Sequence, residues 1–140
     1  MQISARNQLA GTVTSVDRGA VNGIVTIEGG FGRVKAGITN DAIDELGLAE
    51  GMAAVAVAKA TSVMFATGAI AGLSARNQLA GKVVEVKRGA VNGHVTVELA
   101  DGQTVKGSIT NDAIDELGLV VGETATAVIK ATDLMVGVEE

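Results

Sequence analysis

The feature that most constrains this chain is that it is written twice. Ser4-Ala5-Arg6-Asn7-Gln8-Leu9-Ala10-Gly11 returns unchanged as Ser74-Ala75-Arg76-Asn77-Gln78-Leu79-Ala80-Gly81, and Arg18-Gly19-Ala20-Val21-Asn22-Gly23 returns at residues 88–93. Ile38-Thr39-Asn40-Asp41-Ala42-Ile43-Asp44-Glu45-Leu46-Gly47-Leu48 returns at residues 109–119, and Lys59-Ala60-Thr61 as Lys130-Ala131-Thr132. The spacing between copies grows by one residue at the turn of residues 29–32, whose counterpart reads Leu99-Ala100-Asp101-Gly102. Two copies are too few for a solenoid, which closes a continuous core only over several repeats. The chain is therefore a duplicated domain, residues 1–68 and 72–140, joined by a short link of small residues without proline.

Within each copy the apolar spacing reads as strands. Residues 9–17 are rich in Val and Thr; Val21, Gly23, Val25 and Ile27 alternate with Asn22, Ile24, Thr26 and Glu28. Residues 33–39 alternate again, and residues 52–59 and 62–66 complete five strands. Residues 40–46 form the single helix: Thr39 or Asn40 caps it, Ile43 and Leu46 share its inner face, and Gly47 ends it. Five short strands with one helix between the third and fourth is the order of an OB-type barrel. The expectation is an all-β protein of two tandem OB-like five-stranded barrels, each with one short helix.

Composition narrows the function. The apolar content is Val, Ala, Ile and Leu, with 2 Phe and no Trp or Tyr in 140 residues. A unit half this length buries only about 60% of its unfolded surface and is marginal alone, so the halves should pack together and the chain should oligomerise. A net charge of −5 and the lack of aromatics argue against a nucleic-acid binder, which tracks a basic groove and stacks bases on rings. With no cysteine there is no disulfide, thiolate metal site or thiol catalysis. Residues 1–9 lack the apolar run of a signal peptide, and no span of about 18 apolar residues occurs, so a cytoplasmic protein without membrane contact is expected. The only histidine, His94, has Ile24 as its counterpart and reads as a strand-surface residue. Asp41, Asp44 and Glu45 suit a helix beginning and lack calcium-loop spacing, so no free cation site and no catalytic residue is assigned.

The basic residues that recur in place are more telling: Arg6, Arg18, Lys35 and Lys59, matched by Arg76, Arg88, Lys106 and Lys130. In an extended backbone Ser4 and Arg6 share a face, pairing a hydroxyl with a guanidinium fork. Lys59 precedes Ala60 and Thr61, whose amides are further donors, and the helix start at Thr39 offers others. These are the donors a tetrahedral dianion requires, provided Asp41 points away. Two charge-assisted bonds at roughly 1.5–3 kcal/mol and several neutral ones near 1 reach the about −8 kcal/mol of micromolar binding.

Ser4-Ala5-Arg6-Asn7-Gln8-Leu9 with Gly11, then Gly19-Ala20-Val21-Asn22, Ile38-Thr39, Glu45-Leu46-Gly47-Leu48, Gly51 and Lys59-Ala60-Thr61 together resemble the molbindin family, or Mop domains, across both halves. The resemblance implies OB-like barrels, trimers for tandem members, and molybdate or tungstate held between subunits or domains with no other cofactor. One wall of each site would come from Ser4, Arg6, Lys59, Ala60 and Thr61, or from Ser74, Arg76, Lys130, Ala131 and Thr132. The other would come from Thr39, Asn40 and Ala42, or from Thr110, Asn111 and Ala113; some regulators have Ser at those two alanines, a donor lacking here. A further site on the symmetry axis would lie near Val21, Asn22, Val91 and Asn92. The expected function is non-catalytic oxyanion storage and homeostasis. The alternative is a ligand-sensing or interaction module related to molybdate-responsive regulators, disfavoured because no helix-turn-helix segment is present in these residues.

Overall fold

The structure, a computed structural model, describes residues 1–139. In the first copy the strands are β1 (Asn7–Arg18), β2 (Asn22–Gly29), β3 (Gly32–Thr39), β4 (Ala53–Ala58) and β5 (Met64–Ala66), with helix α1 (Asn40–Leu46) after β3. The second copy repeats them as β6 (Asn77–Arg88), β7 (Asn92–Glu98), β8 (Thr104–Thr110), α2 (Asn111–Leu117), β9 (Thr124–Ile129) and β10 (Met135–Gly137). Short 3-10 turns at Ala60–Ser62 and Ala131–Asp133 precede β5 and β10.

The periodicity survives in the packing. Gly23, Val25 and Ile27 of β2 point inward, as do Val34 and Ala36 of β3, while Val21 lies outside the strand and is 70% exposed. The long β1 serves two neighbours, β2 through its later half and β4 through its earlier half. A bulge between Val13 and Ser15, repeated between Val83 and Glu85, bends and coils the strand so that it can do both. Gly11 lies against this bend: a Cβ there would sit 2.6 Å from the Glu28 carbonyl oxygen, and at Gly81 only 2.3 Å from that of Glu98.

The helix ends are as read. The Thr39 hydroxyl accepts the Ala42 N–H at 3.1 Å, and Gly47 adopts φ 62° so that Leu48 N–H closes back on the Ile43 carbonyl at 3.0 Å. Asn40 ties the helix start to the β1–β2 turn: its N–H donates to the Val21 carbonyl and its side-chain amide to the Gly19 carbonyl. Asn111 repeats both bonds.

The fifth strands differ from a simple tandem. The sheets run β10-β4-β1-β2-β3 and β5-β9-β6-β7-β8, all adjacent pairs antiparallel. Each sheet therefore takes four strands from one copy and its last from the other. β5 carries Phe65, and with it Val63 just ahead of the strand, onto the second sheet, where both are buried and a Cβ on Gly107 would touch the Phe65 ring. Burying side chains of this size stabilises by about 1.5–3 kcal/mol each, so the exchange is an apolar bond between halves. One core cluster, from Leu9 to Leu134, runs through both.

Two asparagines lock the exchange. Asn7, just ahead of the β1 core residues, donates to the Lys106 carbonyl at 2.8 Å and accepts the Lys106 N–H at 2.7 Å. Asn77 makes the same pair with Lys35, at 2.9 and 2.7 Å. Each side-chain amide thus acts as one more peptide group on the free edge of the other copy's third strand.

Candidate functional site

Ser4 and Arg6 lie in the bend ahead of β1, not in a strand, yet they share a face as predicted because Ala5 between them is turned inward. The Arg6 Nε–H donates to the Ser4 carbonyl at 3.0 Å, and Arg76 repeats this with Ser74 at 2.9 Å. That bond uses one edge of the guanidinium and leaves its terminal nitrogens presented to solvent.

Lys59 and Lys130 stand at the entrance to the 3-10 turns, whose opening amides receive no side-chain cap. Ser4, Arg6, Lys59, Ala60 and Thr61 line one cleft of about 380 Å³ together with Ile3, Ala5, Met135, His94 and Ser108. Ser74, Arg76, Lys130, Ala131 and Thr132 line its counterpart of about 340 Å³, with Leu73, Ala75 and Met64. The structure brings each cationic set together. Both clefts sit at the seam between sheets, because the turn that carries the lysine passes from β4 in one sheet to β5 in the other.

The helix-start residues are not in these clefts. Thr39 faces a separate cleft of about 540 Å³ with Asp17, Asn22, Ile24, Gly37 and, from the second copy, Thr132. Thr39's oxygen is occupied by the Ala42 N–H and Asn40's N–H by the Val21 carbonyl, so this turn offers fewer free amides than its sequence suggests. What remains includes the Thr39 hydroxyl proton; the Thr110 oxygen is likewise occupied by the Ala113 N–H. Asp41 lines none of the three clefts. The axial candidates Val21 and Val91 are both 70% exposed, at equivalent turns beside Asn22 and Asn92.

Two recurring arginines are structural. Arg18 pairs with Asp44, and Arg88 with Asp115, fastening the end of each long strand to its helix. The hydrogen bond and charge of Asp115 hold the Arg88 guanidinium above its ordinary pKa. Among the described residues no group of three or more His, Cys, Asp or Glu gathers to hold a cation, and no helix is long and apolar enough to cross a membrane. His94 and Ser108 were not assigned to a site from sequence. Their counterparts Ile24 and Gly37 carry no donor, and the cleft that His94 and Ser108 line is led by the other copy's residues.

The fold and clefts define a tandem pair of OB-like barrels, interlocked by their last strands, with a cationic cradle at each seam. The TOBE domain model matches residues 3–65 and again 73–136, and the chain belongs to that family, in two tandem copies. The molybdenum transport protein ModE of Herbaspirillum seropedicae is 45% identical over 143 residues, covering 100% of this chain and 53% of ModE. The molybdenum-pterin-binding protein MopA of Rhodobacter capsulatus is 39% identical, covering 96% of this chain and 52% of MopA. The chain thus spans about half the length of these relatives. The crystal structure of the cytoplasmic molybdate-binding protein ModG with molybdate bound superposes with a TM-score of 0.96 at 43% identity, covering 99% of this chain and 100% of that one. These relatives uphold the molbindin resemblance.

Proposed function

We propose that the chain binds molybdate or tungstate without catalysing any reaction, for storage and homeostasis in the cytoplasm. The observation that carries this reading is the gathering of Ser4, Arg6, Lys59 and Thr61 in one cleft and of Ser74, Arg76, Lys130 and Thr132 in another. Each cluster combines two cations, hydroxyls and turn amides, and among the described residues no acidic one lines either cleft. A tetrahedral dianion is the ligand that such an all-donor wall fits. The likeness to ModG and the molybdenum-pterin-binding proteins supports the choice of oxyanion. Sulfate and phosphate share charge and shape, so discrimination falls to the size of the closed pocket.

Closure comes from a second copy of the chain. Thr39 and Thr110 stand apart from the cationic cradles within one chain, and the apolar Val21 and Val91 are left exposed at equivalent turns. A homotrimer would lay those turns against neighbouring cradles, with Thr39, Asn40 and Ala42, or Thr110, Asn111 and Ala113, as the second wall. Val21, Asn22, Val91 and Asn92 would then approach the axis. Anion bound across such a seam stabilises the assembly by linkage.

Calorimetric titration with molybdate, tungstate, sulfate and phosphate, with native mass measurement, tests this. Arg6→Ala with Arg76→Ala removes one charge-assisted bond per site and should weaken molybdate by about 10- to 100-fold in a protein that stays folded. Unchanged affinity would refute the site. A second reading, a ligand-sensing module, is favoured by the match to half of ModE; a protein partner that co-purifies only with molybdate present would support it.

A further inference from the structure

The two cradles are equivalent in sequence but not in surroundings. Across the outer face of the second sheet, Lys87, His94 and Ser108 stand in one cross-strand row: Lys87 pairs with His94 between β6 and β7, and His94 with Ser108 between β7 and β8. The same row in the first sheet is Asp17, Ile24 and Gly37. Besides Ser62 against Asp133 in the lysine turns, this row carries the main difference around the sites: a cation against an anion, an imidazole against an alkyl group, a hydroxyl against no side chain.

Strand exchange decides which cradle each row serves. His94 and Ser108 line the cleft of Ser4, Arg6 and Lys59. Ile24 and Gly37 adjoin the other turn instead: a Cβ on Gly37 would lie 3.7 Å from the Thr132 methyl and 3.7 Å from the Ala131 carbonyl oxygen, and both line a cleft with Thr132 and Asp17. His94 is exposed and Ser108 half-buried, so both are open to a ligand, and Lys87 adds positive potential behind them.

Resting on the oxyanion reading above, we propose that the two pockets are unequal, and that His94 with Ser108 makes the Ser4–Arg6–Lys59 pocket the tighter one. His94 supplies an N–H donor in either protonation state, and Ser108 a hydroxyl. The partner pocket lacks both donors: the matching row of Asp17, Ile24 and Gly37 lines the neighbouring cleft, which meets it at Thr132 and carries the Asp17 carboxylate beside Arg18. A single chain thereby carries one site that fills at low oxyanion concentration and one that fills later, which widens the range over which it buffers.

The test is calorimetric titration of the full chain with molybdate. The native protein should show two classes of site differing by about tenfold, the order of one added hydrogen bond to a charged ligand. Arg6→Ala should weaken the tighter class and Arg76→Ala the weaker, each by about 10- to 100-fold. His94→Ile should draw the tighter class toward the weaker, and Ile24→His should raise the weaker. Both are surface exchanges between residues the same fold already accepts, and circular dichroism verifies folding. A single class in the native protein, an isotherm unmoved by His94→Ile, or the reverse assignment by the two arginine variants would overturn the inequality while leaving oxyanion binding intact. No molybdate binding by the native chain would overturn the oxyanion reading and this inference with it.

Discussion

Replacing Asn77 with alanine should be among the most damaging single changes on this chain, although it removes no apolar contact. Asn77 is 1% exposed, and its amide both donates to and accepts from the Lys35 backbone at 2.9 and 2.7 Å. Lys35 lies on β3, the edge strand of its sheet, so that peptide has no neighbouring strand to turn to on this side. Truncation orphans one N–H and one C=O in a part-buried place, at about 1–3 kcal/mol each. Water can enter partly from the open edge, so we expect a loss of about 3 kcal/mol. For a chain of this size that is a fall in melting temperature of roughly 10 °C. Urea denaturation without oxyanion reads it as a lower midpoint at unchanged slope. Asn7→Ala, whose bonds to Lys106 are the same within 0.1 Å, should lose as much. Gln78→Ala, exposed and bonded only to the nearby Ala75 carbonyl, should lose less than about 0.5 kcal/mol. If Asn77→Ala stayed within that margin of the native protein, the view that these amides lock the halves together would be wrong.

Two further outcomes follow from the asymmetries of the pair. Gly107→Ala should destabilise by about 1–3 kcal/mol, because its Cβ would overlap the Phe65 ring, although the matching position of the first copy holds Ala36; Gly37→Ala, whose Cβ would lie 3.7 Å from its neighbours, should be nearly silent by thermal melting. At the β7–β8 turn, Asp101 accepts from the Gln103 side chain, which also bonds both backbone groups of Ala10 on β1. The Gln103 bond, first among its partners, holds the Asp101 carboxyl below its ordinary value of 3.8. A carboxyl depressed on folding stabilises above its unfolded value and loses that contribution as pH falls through the folded one. The stability gap between native protein and Asp101→Asn should therefore be present at pH 7 and close well below pH 4 in acid titrations followed by circular dichroism; a gap independent of pH would refute the role of the charge.

Much of this was legible from residues alone, and the reason is local. Strand faces follow from alternation in Val25 and Ile27, and the helix from the Thr39 cap and the Gly47 stop, because each needs only neighbours in sequence. The cationic cradle was legible because Ser4 and Arg6 flank an inward Ala5, and because Lys59-Ala60-Thr61 recurs as Lys130-Ala131-Thr132. The partner of β5 was not. Met64, Phe65 and Ala66 state which face is apolar but not which sheet they join, and in a duplicated chain both sheets offer nearly the same groove. The helix-start donors were overcounted for a related reason: that Asn40 and Ala42 spend their amides on Val21 and Thr39 depends on where the β1–β2 turn packs.

Exchange also changes how a duplicated domain can diverge. If each copy closed its own barrel, a substitution on β7 or β8 would alter the pocket headed by its own Ser74 and Arg76. Here it alters the pocket headed by Ser4 and Arg6, because the turn of Lys59 crosses to lie against the other sheet. Cradle and wall are thus contributed by different copies, and the cradle residues can stay fixed in both while the walls drift apart. The observed pattern has this form: Ser, Arg, Lys and Thr are identical in the two cradles, whereas Asp17, Ile24 and Gly37 face Lys87, His94 and Ser108 as their counterparts. A self-contained pair of barrels could diverge at its clefts only through residues of each half's own pocket; an interlocked pair can do so on the outer strand surface, without touching the core or the recurring cradle residues.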